Sequence, residues 1–224
     1  MKPPSDRRFG PDYAEDFEAD RTRLRLRPVR PEDAALLREG FARLSPESRY
    51  RRFFTAKNEL TDAELRYLTD VDGEDHFALA LGTLDEAGNV VEGVGIGRFI
   101  RLRDEPDVAE PALAVVDSMQ GHGLGRLLML RLIAAATERG IRRFRCDFLA
   151  DNAAVRKLFE EVVDDVAFSS DGSVATATME LPHVEPDHPA AEPSPKSAVA
   201  RWLGLAAARL VQLRHELQAA IHDD

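Results

Sequence analysis

The stretch VVDSMQGHGLGRLLMLRL, residues 115–132, restricts the fold more than any other part of the chain. An apolar extended run meets three alternating glycines, Gly121, Gly123 and Gly125, and passes straight into a leucine-rich helical pattern. Glycine is the residue that turns a chain sharply and lets other atoms approach the backbone. The amides exposed at a helix start, with the helix dipole, attract anionic phosphate. A strand, an anion-binding loop and a long helix are therefore expected in succession. Two familiar nucleotide loops do not fit the spacing. A dinucleotide fingerprint G-x-G-x-x-G would need glycine where Arg126 stands, and a P-loop would need Lys and then Ser or Thr where Arg126-Leu127 stand.

Around this joint the hydrophobic period predicts an α+β order with mostly antiparallel strands and one βαβ unit. Residues 1–20 are polar and acid-rich, and read as a flexible acidic tail. The domain is expected over 21–181. It opens with the alternating strand TRLRLRPV, followed by helices that start at Pro31, at Ser45-Pro46 and at the capping box Thr61/Glu64. HFALALGTL and VVEGVGIGRFI flank a turn and read as a hairpin. Gly93, Gly95 and Gly97 would then share one strand face and pack against a helix. After the joint come the strand IRRFRCDFL, a helix led by Asn152, and two short strands around Asp171-Gly172. Residues 182–197 read as a proline-rich linker and 198–224 as an amphipathic helix. That helix can pack on its own domain, or serve self-association or a partner protein.

With a formal charge of −10, general binding to nucleic acid or to an anionic membrane surface is not expected. The one cysteine, Cys146, rules out an internal disulfide framework and reads as a core residue. His183 and His188 with their acidic neighbours sit in the linker and are not taken as a metal site. No apolar stretch reaches membrane-spanning length, no secretory leader is recognisable, and the cytoplasm is the default location.

The segment Gln120-Gly121-His122-Gly123-Leu124-Gly125 resembles the pyrophosphate signature Q-x-x-G-x-G/A of the GNAT superfamily of N-acyltransferases. The element order over roughly 22–181 is similar to that superfamily too. The resemblance implies a GNAT fold, acetyl-CoA as cosubstrate and no metal. It further implies that Met119, Gln120, Gly121, His122, Gly123, Leu124, Gly125 and Arg126 line the phosphates. Val115 and Val116 would offer backbone to the pantetheine, and Asn152 would stand beside the pantetheine and thiol end. Phe159 would complete the cofactor-lining residues, in the stretch where many members carry a tyrosine that protonates the leaving thiolate, so a tyrosine acid is not expected.

Acyl transfer to an amine needs a base, since an ammonium has an ordinary pKa of about 10.4. Glu110, ten residues before Gln120 in the segment Ala109-Glu110-Pro111-Ala112, is the candidate. That spacing, with LSPESRYRRFF (44–54), resembles bacterial protein-lysine acetyltransferases that modify acyl-CoA synthetases. The resemblance implies direct acetyl transfer to a lysine of an acceptor protein, an acyl-CoA synthetase among the candidates. A small amine as acceptor, or an acyl-CoA-binding regulatory protein with a weak site, are the alternatives. Pro111 is the second departure, because it removes an amide from the strand that carries the base.

Overall fold

The structure is a computed structural model that describes residues 7–182. The predicted helix over 198–224, and all but the start of the predicted linker, lie outside the described residues.

Hairpins and one crossover build a single sheet. Strands β1 (Glu15–Ala19) and β2 (Thr22–Pro28) are followed by helices α1 (Ala34–Ala42), α2 (Pro46–Phe53) and α3 (Asp62–Thr69). Then come β3 (His76–Leu84), β4 (Val90–Arg101), β5 (Val108–Val115), α4 (Leu124–Glu138), β6 (Arg143–Leu149), α5 (Ala153–Val162), β7 (Val166–Asp171) and β8 (Val174–Glu180). The sheet order is β1-β2-β3-β4-β5-β6-β8-β7. Every neighbouring pair is antiparallel except β5 with β6, the pair joined by α4. The α+β expectation therefore holds, with the single parallel pair where the βαβ unit was read.

Most of the apolar side chains pack between the sheet and α4 with α5, where Leu128, Leu132, Phe99, Phe144, Phe148 and Phe159 are fully enclosed. A smaller cluster under α1 to α3 joins Phe41, Leu44, Leu60, Leu65 and Ala114. The glycines of β4 do not share one face. Register slips between Leu81 and Gly82, so that Leu81 faces Gly95 and Gly82 faces Gly93, leaving Val94 as an extra residue. Such a bulge reverses which side every later residue points to. An added Cβ at Gly97 would lie 2.9 Å from Leu132 of α4, whereas one at Gly93 would lie 3.1 Å from the Leu36 carbonyl of α1. Both helical layers thus press on β4 where it lacks side chains.

The acidic tail is corrected by the structure: from residue 7 it is part of the domain. Phe9 is 1% exposed and its ring lies 4.6 Å from that of Tyr13. Arg139 donates to the Phe9 carbonyl at 2.9 Å, and Glu138 accepts the Arg8 and Phe9 amides at 3.0 and 3.2 Å. β1 then pairs with β2 from Glu15–Leu26 to Ala19–Thr22 and covers its open edge. Few residues of this segment are apolar, but three are aromatic: Phe9 lies in the core, and Tyr13 and Phe17 pack against it.

Glu15 accepts two bonds of 2.7 Å from the Arg131 guanidinium and one from the Tyr13 hydroxyl. Arg131 chiefly holds its carboxyl below the usual range. A carboxylate with a depressed folded pKa stabilises above its unfolded value, about 4.3 for glutamate, and loses that contribution as pH falls through the folded one. Glu15→Gln should therefore melt lower than the parent at neutral pH and converge with it in acid. Thermal melts at both ends of that range check the sign.

Candidate active site

β5 and β6 pair at only two positions, Val108 with Arg143 and Ala109 with Phe144, and then part. The bonding pattern explains where they stop. The Asp107 carbonyl accepts from the Arg143 amide at 3.1 Å, while the Val116 amide donates to Val94 of β4 at 2.9 Å. Backbone groups of odd-numbered β5 residues therefore face β6, and those of even-numbered ones face β4. Pro111 falls on the β6 side and has no N–H to donate. The ladder ends at Ala109, and at Pro111, the next residue that would bond to β6, there is no donor to continue it. Beyond it, Leu113 and Val115 turn their backbone groups into the opening. Val116, expected to share this role, has its amide engaged on β4 instead. Leu113 was missed, although period-two alternation from Val115 would have found it.

The glycine loop stands at the far end of the opening. After a 3-10 turn at Asp117–Met119, Gln120 is extended, and Gly121 and Gly123 take left-handed φ values of 85° and 79°. Gly123 is the N-cap of α4 and offers no side chain to its first amides. Helix-start amides without a cap are free to bind an anion. Gln120 anchors the loop by donating from Nε2 to the Val115 carbonyl at 3.0 Å. His122 Nε2 lies 3.2 Å from Asp20 Oδ2, on the β1–β2 turn. Leu124 and Gly125 are buried in the first helical turn, Arg126 is half-buried, and Met119 packs against the main core.

Asn152 is fully buried at the start of α5, where its Oδ1 accepts the Val155 amide at 3.2 Å. Its Nδ2 is buried with no hydrogen-bond partner among the described residues. Leaving such a donor unsatisfied costs about 1–3 kcal/mol, which a ligand carbonyl would relieve. An orphaned amide, an opened strand edge and an uncapped glycine helix start together suit an extended ligand with a phosphate end and an amide-bearing arm. Phe159, the remaining cofactor candidate, is not in that group. It is fully buried and meets Phe148 edge-on at 5.8 Å, because a phenyl ring without a hydroxyl packs best in the core.

Glu110 lies opposite Ile100, half-buried, with Oε1 enclosed. Burial lowers Arg52 to about 10 against the opposing pull of the Glu110 charge, so Arg52 stays cationic. Burial chiefly, and then the Glu110 and Asp147 charges, push the Cys146 thiol up, which leaves it inert as a nucleophile. The serines of LSPESRYRRFF have a structural task. Ser45 caps α2 by accepting the Ser48 amide at 3.1 Å. The Ser45 amide and the Ser48 hydroxyl both donate to Asp117 at 2.9 Å, which ties α2 to the turn before the glycine loop. No group of three or more metal-ligating side chains occurs among the described residues, and no helix there is long and apolar enough to cross a membrane.

Residues 38–163 match the Acetyltransferase (GNAT) family. The chain is 36% identical over 160 residues to Acetyltransferase Pat of Mycolicibacterium smegmatis, an alignment covering 71% of this chain and 46% of that one. It is 35% identical over 133 residues to an acetyltransferase of Pseudomonas aeruginosa, covering 59% and 70%. The crystal structure of the GNAT domain of S. lividans PAT superposes with a TM-score of 0.66 at 29% identity, over 75% of this chain and 97% of that one. The chain thus spans less than half the length of its mycobacterial relative.

Proposed function

This chain belongs to the GNAT acetyltransferase family, and from that premise we propose that it transfers the acetyl group of acetyl-CoA directly to a lysine of an acceptor protein in the cytoplasm. The observation that carries the reading is one opening between β5 and β6 with Glu110 at its closed end and the α4 amides at its other end. The amides of the Gln120–Arg126 loop hold the pyrophosphate. The Leu113 backbone, the Val115 amide and Asn152 Nδ2 bind the amides of the pantetheine arm, the Val115 carbonyl being held by Gln120. Acetyl-CoA supplies an activated acyl carbon with thiolate as leaving group, a decent one without a tyrosine acid.

Glu110 accepts the proton that the amine sheds, directly or through one water. The acceptor class rests on the A-E-x-A spacing and the α2 motif. An acyl-CoA synthetase is the kind of partner these motifs suggest. The test is incubation of this chain and acetyl-CoA with soluble proteins and, separately, with a panel of free amines, read by mass spectrometry. Acetyl-lysine on intact proteins is expected. Transfer to free amines alone would replace the acceptor class, and acetyl-CoA binding without any transfer would favour a regulatory binding role.

A further inference from the structure

Between the sheet and α1 to α3 lies a mostly apolar cavity of about 80 Å³. That is several times the roughly 10–15 Å³ a single water needs. Four arginines line it, and they divide in two. At the β2 end, Arg27 forks onto Asp33 at 2.6 and 2.7 Å, and Arg25 pairs with Asp16 at 2.7 Å. At the β5 end, beside Ala114, Arg52 lies within the field of the Glu110 carboxylate, and the hydrogen bonds of Arg98 go to neutral groups. Arg98 is only 3% exposed. It donates to the Leu68 carbonyl at 3.1 Å and meets His76 Nε2 at 2.9 Å. His76 is itself pushed down to about 3 by burial and by the Arg98 charge, so it is neutral and accepts. Arg52 stacks on Phe53 at 4.9 Å.

Buried charges are normally paired. Here the Glu110 carboxylate acts on Arg52, whereas Arg98 feels the like charge of Arg52 and is held by a carbonyl and a neutral imidazole, so the Arg52–Arg98 pair brings one positive charge more than Glu110 offsets. Desolvation and the Arg52 charge bring Arg98 down to about 9, still protonated at neutral pH. Arg98 stands opposite Ala112, the second residue after Glu110, and points to the same side of the sheet. Neighbouring strands are about 4.8 Å apart. A carboxylate three bonds beyond a thioester carbon held along β5 spans a comparable distance.

We propose that Arg52 and Arg98 bind a carboxylate brought into the cleft by a reactant, most directly the terminal carboxylate of a four-carbon dicarboxylic acyl thioester. The inference rests on the reading of the β5–β6 opening as an acyl-CoA site. The transfer is otherwise the same: the acyl C–S bond breaks as the C–N bond forms, the amine proton goes to Glu110, and the thiolate leaves.

The test compares succinyl-CoA with butyryl-CoA, equal in length and different in charge, by calorimetric titration of the intact chain. Succinyl-CoA should bind on the order of tenfold more tightly, the size of one charge-assisted contact. The difference should vanish in Arg98→Met and in Arg52→Met. The second variant matters because Arg98 also holds Leu68 and His76, and its loss can unfold the domain. A second arm uses acetyl-CoA with lysine peptides carrying Glu or Gln beside the acceptor. A preference for Glu that Arg52→Met removes would assign the carboxylate to the acceptor. Equal binding of the two thioesters together with equal use of the two peptides would overturn the proposal, as would preferences that survive both variants. Failure to bind any CoA thioester would remove the cofactor site itself.

Discussion

Glu110→Gln is expected to lower kcat by about 10²–10⁴-fold, the usual worth of a general base, while acetyl-CoA binds almost as before. The asymmetry follows from where the residue sits. Glu110 is at the closed end of the β5–β6 opening, and the loop that would grip the phosphates begins ten residues later at Gln120. Glutamine keeps the shape and polarity of the side chain and removes only its capacity to take a proton. An amine acceptor near pKa 10.4 is almost wholly protonated at neutral pH. The variant should therefore recover part of its activity as pH rises and free amine becomes available without a base. Activity equal to that of the parent across about pH 6–9 would take Glu110 out of the chemistry. A parallel loss of acetyl-CoA affinity would instead mean that the carboxylate holds the cleft together.

What could be read in the chain was what is encoded locally. Thr61 and Glu64 close a capping box, Asn152 caps α5, and the glycine joint opens α4, each within a few residues of sequence. Features made by distant partners were not legible. Phe9 belongs to the core because Arg139 and Glu138, some 130 residues away, receive its backbone. The Val94 bulge is a property of two paired strands, and no one-strand pattern announces it.

Pro111 shows the limit most clearly. In sequence it is a departure from a motif. In the sheet its missing N–H lies on the side of β6 and ends the ladder at the point where the cleft begins. The Arg52–Arg98–His76 constellation gathers α2, β4 and the start of β3, and only the fold reveals that two guanidiniums and a neutral imidazole meet there.

Gly123→Ala is expected to weaken acetyl-CoA binding by about 10–100-fold while costing only about 1–2 kcal/mol of stability, the strain of a left-handed alanine. The two effects separate because an added Cβ at Gly123 meets nothing within 4 Å of protein. The methyl group would project from the N-cap of α4, into the space that a phosphate must enter to reach the helix amides. Gly88→Ala supplies the matched control. Gly88, in the β3–β4 turn, has φ of 83° against 79° for Gly123, and its added Cβ likewise meets nothing within 4 Å. Both variants should therefore melt lower by similar amounts, about 2–4 °C per kcal/mol for a domain of this size. Only Gly123→Ala should lose affinity for acetyl-CoA in calorimetric titration. If the two variants match in both stability and affinity, the left-handed glycine serves only to start the helix, and the phosphate cradle must be sought elsewhere in the opening.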